Sequence, residues 1–234
     1  MPQRARLNPM RPRDPHEPGR VASSLELFFD LVFVIAVGIA ASELHEQLQD
    51  GPVWPAVGHY LMAFFAIWWA WMNFTWFATS FDTDDWLYRL LTIAQMGGVL
   101  VLAAGLEPAA VNGDFRLMIY AYVLMRACLV AQWLRASRRN GHHARGAEPT
   151  LAQTAARAYA VGIAVVQVLW LAALLLPRLA FLPAVVVLVI AEVSVPVVAE
   201  RRGRTPWHPH HITERYGAFT LIVLGESLLA SANA

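Results

Sequence analysis

The sequence contains no lysine: all 18 of its basic residues are arginine. Without lysine there is no retinal Schiff base, which excludes a chromophore-bearing seven-helix rhodopsin. A GxxxxGK(S/T) phosphate loop is equally impossible, so ATP hydrolysis by that route is excluded. Cys128 is the only cysteine, which rules out disulfides within the chain and a multi-cysteine metal site. GxSxG and HExxH are both missing, so the common hydrolase signatures are absent, and neither enzyme activity nor a cofactor is expected. Charge is scarce as well. Only 15% of residues are charged, where a soluble domain of this size uses roughly 25%. The net charge of +1 offers no basic surface for nucleic acid.

What fills the chain instead is apolar. Hydrophobic residues make up 57%, mean hydropathy is +0.44, and nine tryptophans help bring aromatics to 11%. That composition suits a chain whose surface meets lipid, with tryptophan at the headgroup level. About 20 apolar residues span the hydrocarbon core as a helix. About seven segments meet that length, near residues 24–44, 55–80, 86–106, 115–135, 155–176, 179–199 and 213–234. Their unbroken runs read as helices rather than alternating barrel strands. The predicted fold is all-α: a polytopic transmembrane helix bundle over 23–234, preceded by a basic, disordered tail over 1–22. Only the Pro177-Arg178 turn separates the fifth and sixth segments. No cleavable signal peptide is expected, because the first apolar run is too long to be an h-region.

Arginine placement sets the expected orientation. Arg4, Arg6, Arg11, Arg13 and Arg20 lie in the tail. Arg135, Arg138, Arg139 and Arg145 follow the fourth segment, and Arg201, Arg202 and Arg204 follow the sixth. Alternate loops hold only Arg178 and the edge residue Arg116. The N-terminus is therefore expected to be cytoplasmic. The first and seventh segments also echo each other, with Leu25-Glu26-Leu27-Phe28 and Thr213-Glu214-Arg215-Tyr216 opening similar apolar runs. A parallel duplication would produce this, and so would any two helices that cross in the same direction.

A charge at the centre of a transmembrane helix costs about 2.5–3.5 kcal/mol on insertion scales, so each needs a reason. From the 1.5 Å rise per residue, Asp30 sits roughly 9 Å from its helix's cytoplasmic end. Glu192 and Asn73 lie at roughly 10 Å, Arg126 and Gln95 at roughly 13 Å, and Glu226 at roughly 19 Å. Ser23-Ser24-Leu25-Glu26 fits a capping box, and Glu214 after Thr213 reads as a helix-start acid. Asp30 has no such role. Arg126 matches it in depth and sign, so an Asp30–Arg126 ion pair is expected. Glu192 then leaves two acids against one base, a surplus that can bind a proton or a cation. Alternatively, the layer lines a polar solute pocket. Asp82-Thr83-Asp84-Asp85 reads as a tight turn whose acids favour the next helix N-terminus, with Asp85 and Arg89 as an i,i+4 pair. His208, His210 and His211 are spaced to ligate a metal but read as loop residues, as do His142 and His143, and no metal site is expected.

Ser24-Leu25-Glu26-Leu27-Phe28-Phe29-Asp30-Leu31-Val32-Phe33-Val34 resembles the opening signature of the bacterial low temperature requirement protein A (LtrA) family. Trp71-Met72-Asn73, Phe81-Asp82-Thr83-Asp84-Asp85 and Arg89-Leu90 resemble the family's second-to-third helix region. His211-Ile212-Thr213-Glu214-Arg215-Tyr216-Gly217 and Leu224-Gly225-Glu226-Ser227 resemble a third block. The resemblance implies a multi-spanning bacterial inner-membrane protein, shorter than usual for the family. It also implies that Glu26, Asp30, Asp84, Asp85, Glu214, Arg215 and Glu226 belong to the family pattern. It supplies no reaction. The expected partner is the lipid bilayer, with an ion or small solute as ligand, and a homo-oligomer is left open. Two functions follow: a transporter-like protein with an intramembrane acidic site, or a structural, stress-adaptation protein whose charges only fix helix packing.

Overall fold

A computed structural model describes residues 7–83, 85–138 and 150–232. Asp84, Arg4, Arg6, Arg139, Arg145, His142 and His143 therefore lie outside the described residues. The elements in chain order are β1 (Arg11–Pro12), α1 (Ser24–Asp50), α2 (Val53–Ser80), β2 (Phe81–Asp82), α3 (Trp86–Ala104), α4 (Leu106–Asn112), α5 (Arg116–Ala136), α6 (Leu151–Ala173), α7 (Arg178–Arg202) and α8 (Pro209–Ala232). The protein is an all-α polytopic membrane protein. Among the described residues, six helical segments are long and apolar enough to cross a membrane, with α3 and α4 together forming one of them. The seventh long helix, α8, carries Glu214, Arg215 and Glu226 within its length.

Local chemistry sets the helix ends. Ser23 and Glu26 close a capping box at the start of α1, and Thr150 and Gln153 do the same for α6. Asp85 caps α3 by accepting the Tyr88 N–H at 2.9 Å. Gly113, at φ 64°, ends α4 in the left-handed conformation that favours glycine. Pro177 separates α6 from α7, as the sequence suggests. Two ends differ from expectation. The first helix continues to Asp50 through polar residues that lie past the apolar run. The last begins at Pro209 rather than Thr213, with proline at the first helical position, where its missing N–H costs nothing.

The chain divides into two compact units. One comprises residues 1–18, 76–92 and 126–208. Here α6 packs along α7, with Gly162 against Val195 and Gly203 against the backbone of Leu151 and Ala155. Its aromatic core stacks Trp133 on Tyr159, ring centroids 4.3 Å apart, with Phe77 edge-on to Trp133 at 4.8 Å. The tail was expected to be disordered, but residues 7–18 take a defined path in this unit. β1 pairs antiparallel with β2 (Arg11 opposite Asp82), Met10 is buried, and the Asn8 carbonyl accepts from Arg135 at 2.7 Å. The backbone groups of β2 and the buried Arg135 give the tail partners that composition cannot reveal.

The other unit comprises residues 19–75, 93–125 and 209–234. Its centre is α1 packed along α8. Successive contacts pair residue 26 with 211, 30 with 215 and 38 with 226, so the two helices run parallel. This is the relation the sequence echo requires. Phe29 stacks against Phe33 and lies tilted against Phe74, and Trp71 lies flat on Phe219 with ring centroids 4.2 Å apart.

Candidate functional site

In the second unit, Glu26 and Asp30 stand one turn apart on α1. They face His211 and Arg215, one turn apart on α8. The parallel packing brings the two i,i+4 ladders into register. Arg215 donates to both oxygens of Asp30, from Nε to Oδ2 at 3.2 Å and from Nη2 to Oδ1, a bidentate pairing. Trp71 Nε1 donates to the same Oδ1 at 2.6 Å, and the guanidinium lies 5.9 Å from the centroid of the Trp71 ring. Glu26 completes its capping box through Oε2, which accepts the Ser23 N–H at 2.8 Å. Its Oε1 stands 3.4 Å from His211 Nε2 and 3.7 Å from Arg215 Nη1. All four side chains are buried.

Their charges do not balance. Two carboxylates face one guanidinium and one imidazole. With the imidazole neutral the four carry one net negative charge, and a single added proton cancels it. Holding such a charge away from water is expensive.

The first unit holds a closed arrangement. Arg126 Nη2 on α5 donates to Glu192 Oε2 on α7 at 2.7 Å, and Gln167 Nε2 on α6 donates to Glu192 Oε1 at 2.7 Å. One base meets one acid, and an amide takes the acid's second oxygen. The expected Asp30–Arg126 pair is thus replaced by two separate ones. Asp30 belongs to Arg215 and Trp71, while Arg126 belongs to Glu192. The surplus assigned to Glu192 disappears with it.

Asp85 and Arg135 form a third pair in the first unit, through Arg135 Nη1 to Oδ1 at 2.9 Å and Nη2 to Oδ2. The Asn8 N–H donates to Oδ2 at 3.2 Å. Burial pushes this carboxyl up, but Arg135 and the N–H groups of Tyr88 and Asn8 outweigh it and hold it below the usual carboxylate range. The expected Asp85–Arg89 pair is corrected. Arg89 meets Asp85 through the backbone, N–H to carbonyl at 3.0 Å, while Arg135 takes the carboxylate.

The remaining candidates disperse. Asn73 Nδ2 donates back to the Trp69 carbonyl at 2.8 Å, a local bond within α2. Gln95 is buried in the second unit. Glu226 is half-buried beside Gly38, where an added Cβ would stand 3.5 Å from its Oε2. Glu214 is exposed inside α8 rather than at its start, and the Thr213 hydroxyl bonds back to the Pro209 carbonyl at 2.9 Å. His208 is tied through its backbone to Thr79 and through its ring to the Glu17 carbonyl. Among the described residues no group of three His, Cys, Asp or Glu side chains is placed to hold a metal. Sequence reasoning missed Trp71, Gln167 and Arg135 as site residues and weighed His211 only as a metal ligand. For His211 a signal existed: His211 and Arg215 repeat the spacing of Glu26 and Asp30 with opposite sign.

Membrane-crossing helices with carboxylates and guanidiniums paired in their interior define a polytopic membrane protein. The family model described as Bacterial low temperature requirement A protein (LtrA) matches residues 21–234, and the chain belongs to that family. It is similar to an uncharacterized protein of Rhizobium meliloti (strain 1021), at 31% identity over 216 residues. The match covers 89% of this chain and 50% of the relative, so the chain spans about half the length of the curated protein it matches. No solved structure matches the chain.

Proposed function

We propose that this LtrA-family protein is a transporter-like protein of the bacterial inner membrane that moves an ion or small solute. The α1–α8 cluster is its charge-responsive site, and the N-terminus lies on the cytoplasmic side. One observation carries the reading: two carboxylates, one guanidinium and one imidazole are buried together, a set that is neutral when the imidazole carries a proton. A proton on the imidazole neutralises the set. When it leaves, the spare carboxylate charge attracts a cation. Proton and cation then compete for one charge, which is the elementary requirement for exchanging them. His211 suits the role because an imidazole exists in a neutral and a protonated form. No catalytic role is assigned to any of these residues.

The test uses the full chain in liposomes containing a pH-sensitive dye. Sodium, potassium or a small organic cation is added outside. The dye is expected to report proton movement for one of them in wild type and not in Glu26→Gln. Glutamine keeps the capping box, so this variant removes the spare charge without removing the helix start. Wild-type liposomes that respond to no cation, or a variant that responds equally, would contradict the proposal.

A second reading rests on Arg126–Glu192–Gln167, whose one-to-one pairing is complete without a ligand. If the α1–α8 set is also only packing, the protein is a structural or stress-adaptation protein without a substrate, and Glu26→Gln changes stability but no proton movement.

A further inference from the structure

We infer that the first unit carries a binding site for the phosphate headgroup of an anionic phospholipid, formed where α5 ends, α6 begins and α7 ends. A cavity of about 430 Å³ lies there, lined by Ser137, Gln153, Thr154, Arg157, Ala158, Val161 and Arg202. That volume falls within the about 300–1,000 Å³ typical of small-ligand sites. Two guanidiniums and no carboxylate line it, so its field favours an anion. Both arginines are exposed, and among the described residues no carboxylate is paired with either.

The donors can be counted. Thr154 and Ser137 spend their hydroxyl protons on the backbone carbonyls of Thr150 and Leu134. Gln153 uses Oε1 to cap α6, which leaves its Nε2 available. The donors that can face a ligand are therefore Arg157, Arg202 and Gln153. Two forked guanidiniums and an amide suit the several oxygens of a phosphodiester.

The position favours a lipid over a free anion. Three helix ends meet at the cavity, which places it at the level of the membrane surface. Arg157, Val161, Val165 and Val168 follow one stripe of α6 at i,i+4 and i,i+3 spacing, and the three valines are 52%, 54% and 64% exposed. From Arg157 to Val168 the stripe runs roughly 16 Å, about half of a 30 Å hydrocarbon core. It therefore gives an apolar track one leaflet deep, beginning at the cationic cavity. Basic pockets between transmembrane helices recognise anionic headgroups by this combination.

The purified full chain in neutral detergent would be titrated with phosphatidylglycerol, phosphatidylcholine or inorganic phosphate. Retained lipid would be counted by native mass spectrometry and melting temperature followed in parallel. Phosphatidylglycerol is expected to bind and to raise the melting temperature. Arg157→Gln should weaken binding about fivefold, and adding Arg202→Gln should weaken it about fivefold again. Arg138→Gln, which removes an exposed arginine that does not line the cavity, should leave binding unchanged. The inference is overturned if the double variant binds as wild type does. It also falls if Arg138→Gln weakens binding equally, or if phosphatidylcholine binds as well. If inorganic phosphate alone reproduces the stabilisation and displaces the lipid, the site is one for a soluble anion and the lipid assignment is wrong.

Discussion

The two units bury charge in opposite ways. Where α5, α6 and α7 meet, Arg126 meets Glu192 and Gln167 takes the carboxylate oxygen left over, so this buried acid and base balance each other. In α1 and α8, Asp30 is equally well held by Arg215 and Trp71, while Glu26 meets the Ser23 N–H, an imidazole and the far side of the same guanidinium. Burial is as complete in one as in the other. What differs is whether the net charge depends on a proton. A closed pair can fix two helices and do nothing more, whereas a set that includes an imidazole can also change its charge.

Removing Arg215 should have the largest effect, because it strands two carboxylates at once. Arg215→Met is expected to cost about 3–5 kcal/mol or more of unfolding free energy in mixed micelles, and a loss below about 1 kcal/mol would show the cluster is hydrated. Arg126→Met should cost about 3–5 kcal/mol alone. Paired with Glu192→Met it should return to within about 1 kcal/mol of wild type, since the closed pair vanishes whole. The corresponding double change in the open set, Arg215→Met with Asp30→Leu, should keep a clear penalty, because Glu26 and His211 remain. Equal recovery in both double variants would erase the distinction between the units.

Gly203→Ala comes next. An added Cβ would stand 2.3 Å from the Leu151 carbonyl oxygen and 2.6 Å from the Ala155 nitrogen. Those are backbone atoms that cannot swing aside, so a cost of about 1–3 kcal/mol is expected. Gly38→Ala in the other unit meets only an ordinary contact with Glu226 and should change stability by less than about 0.5 kcal/mol. The smallest effect is confined to acid. Asp85 is held below its ordinary carboxylate range in the folded protein. Its contribution is therefore fully present above that ordinary value, near 4, and is lost as pH falls through the lower folded value. Asp85→Asn should flatten this acid limb of the stability profile, and an unchanged limb would remove Asp85 from the account.

Much of the fold was legible because long apolar runs bounded by capping residues have few alternatives. Ser23-Glu26 at the start of α1 and Pro177 between α6 and α7 lie where the sequence puts them. The pairing of charges was less legible. Depth along a helix is one coordinate, and partners also need the right angular face. Asp30 and Arg126 were matched by depth and sign, with no angular information. Arg215 was hidden by an error of one turn: with α8 taken to start at Thr213 it sits at the helix rim. From Pro209 it lies roughly 9 Å in, level with Asp30. The proline was the signal for that start. The path of residues 7–18 was not legible, since it depends on β2 and Arg135, which are remote in sequence.

Proton release on cation binding tests the central claim most directly. The purified chain in weakly buffered detergent would be titrated with the cation that drives proton movement in liposomes, or with sodium, potassium and an organic cation in turn. The account predicts release of about one proton per chain from wild type as the cation takes the spare charge, and none from Glu26→Gln. No release with any cation, or equal release from the variant, would contradict it and leave the α1–α8 cluster as a packing device like its counterpart in α5, α6 and α7.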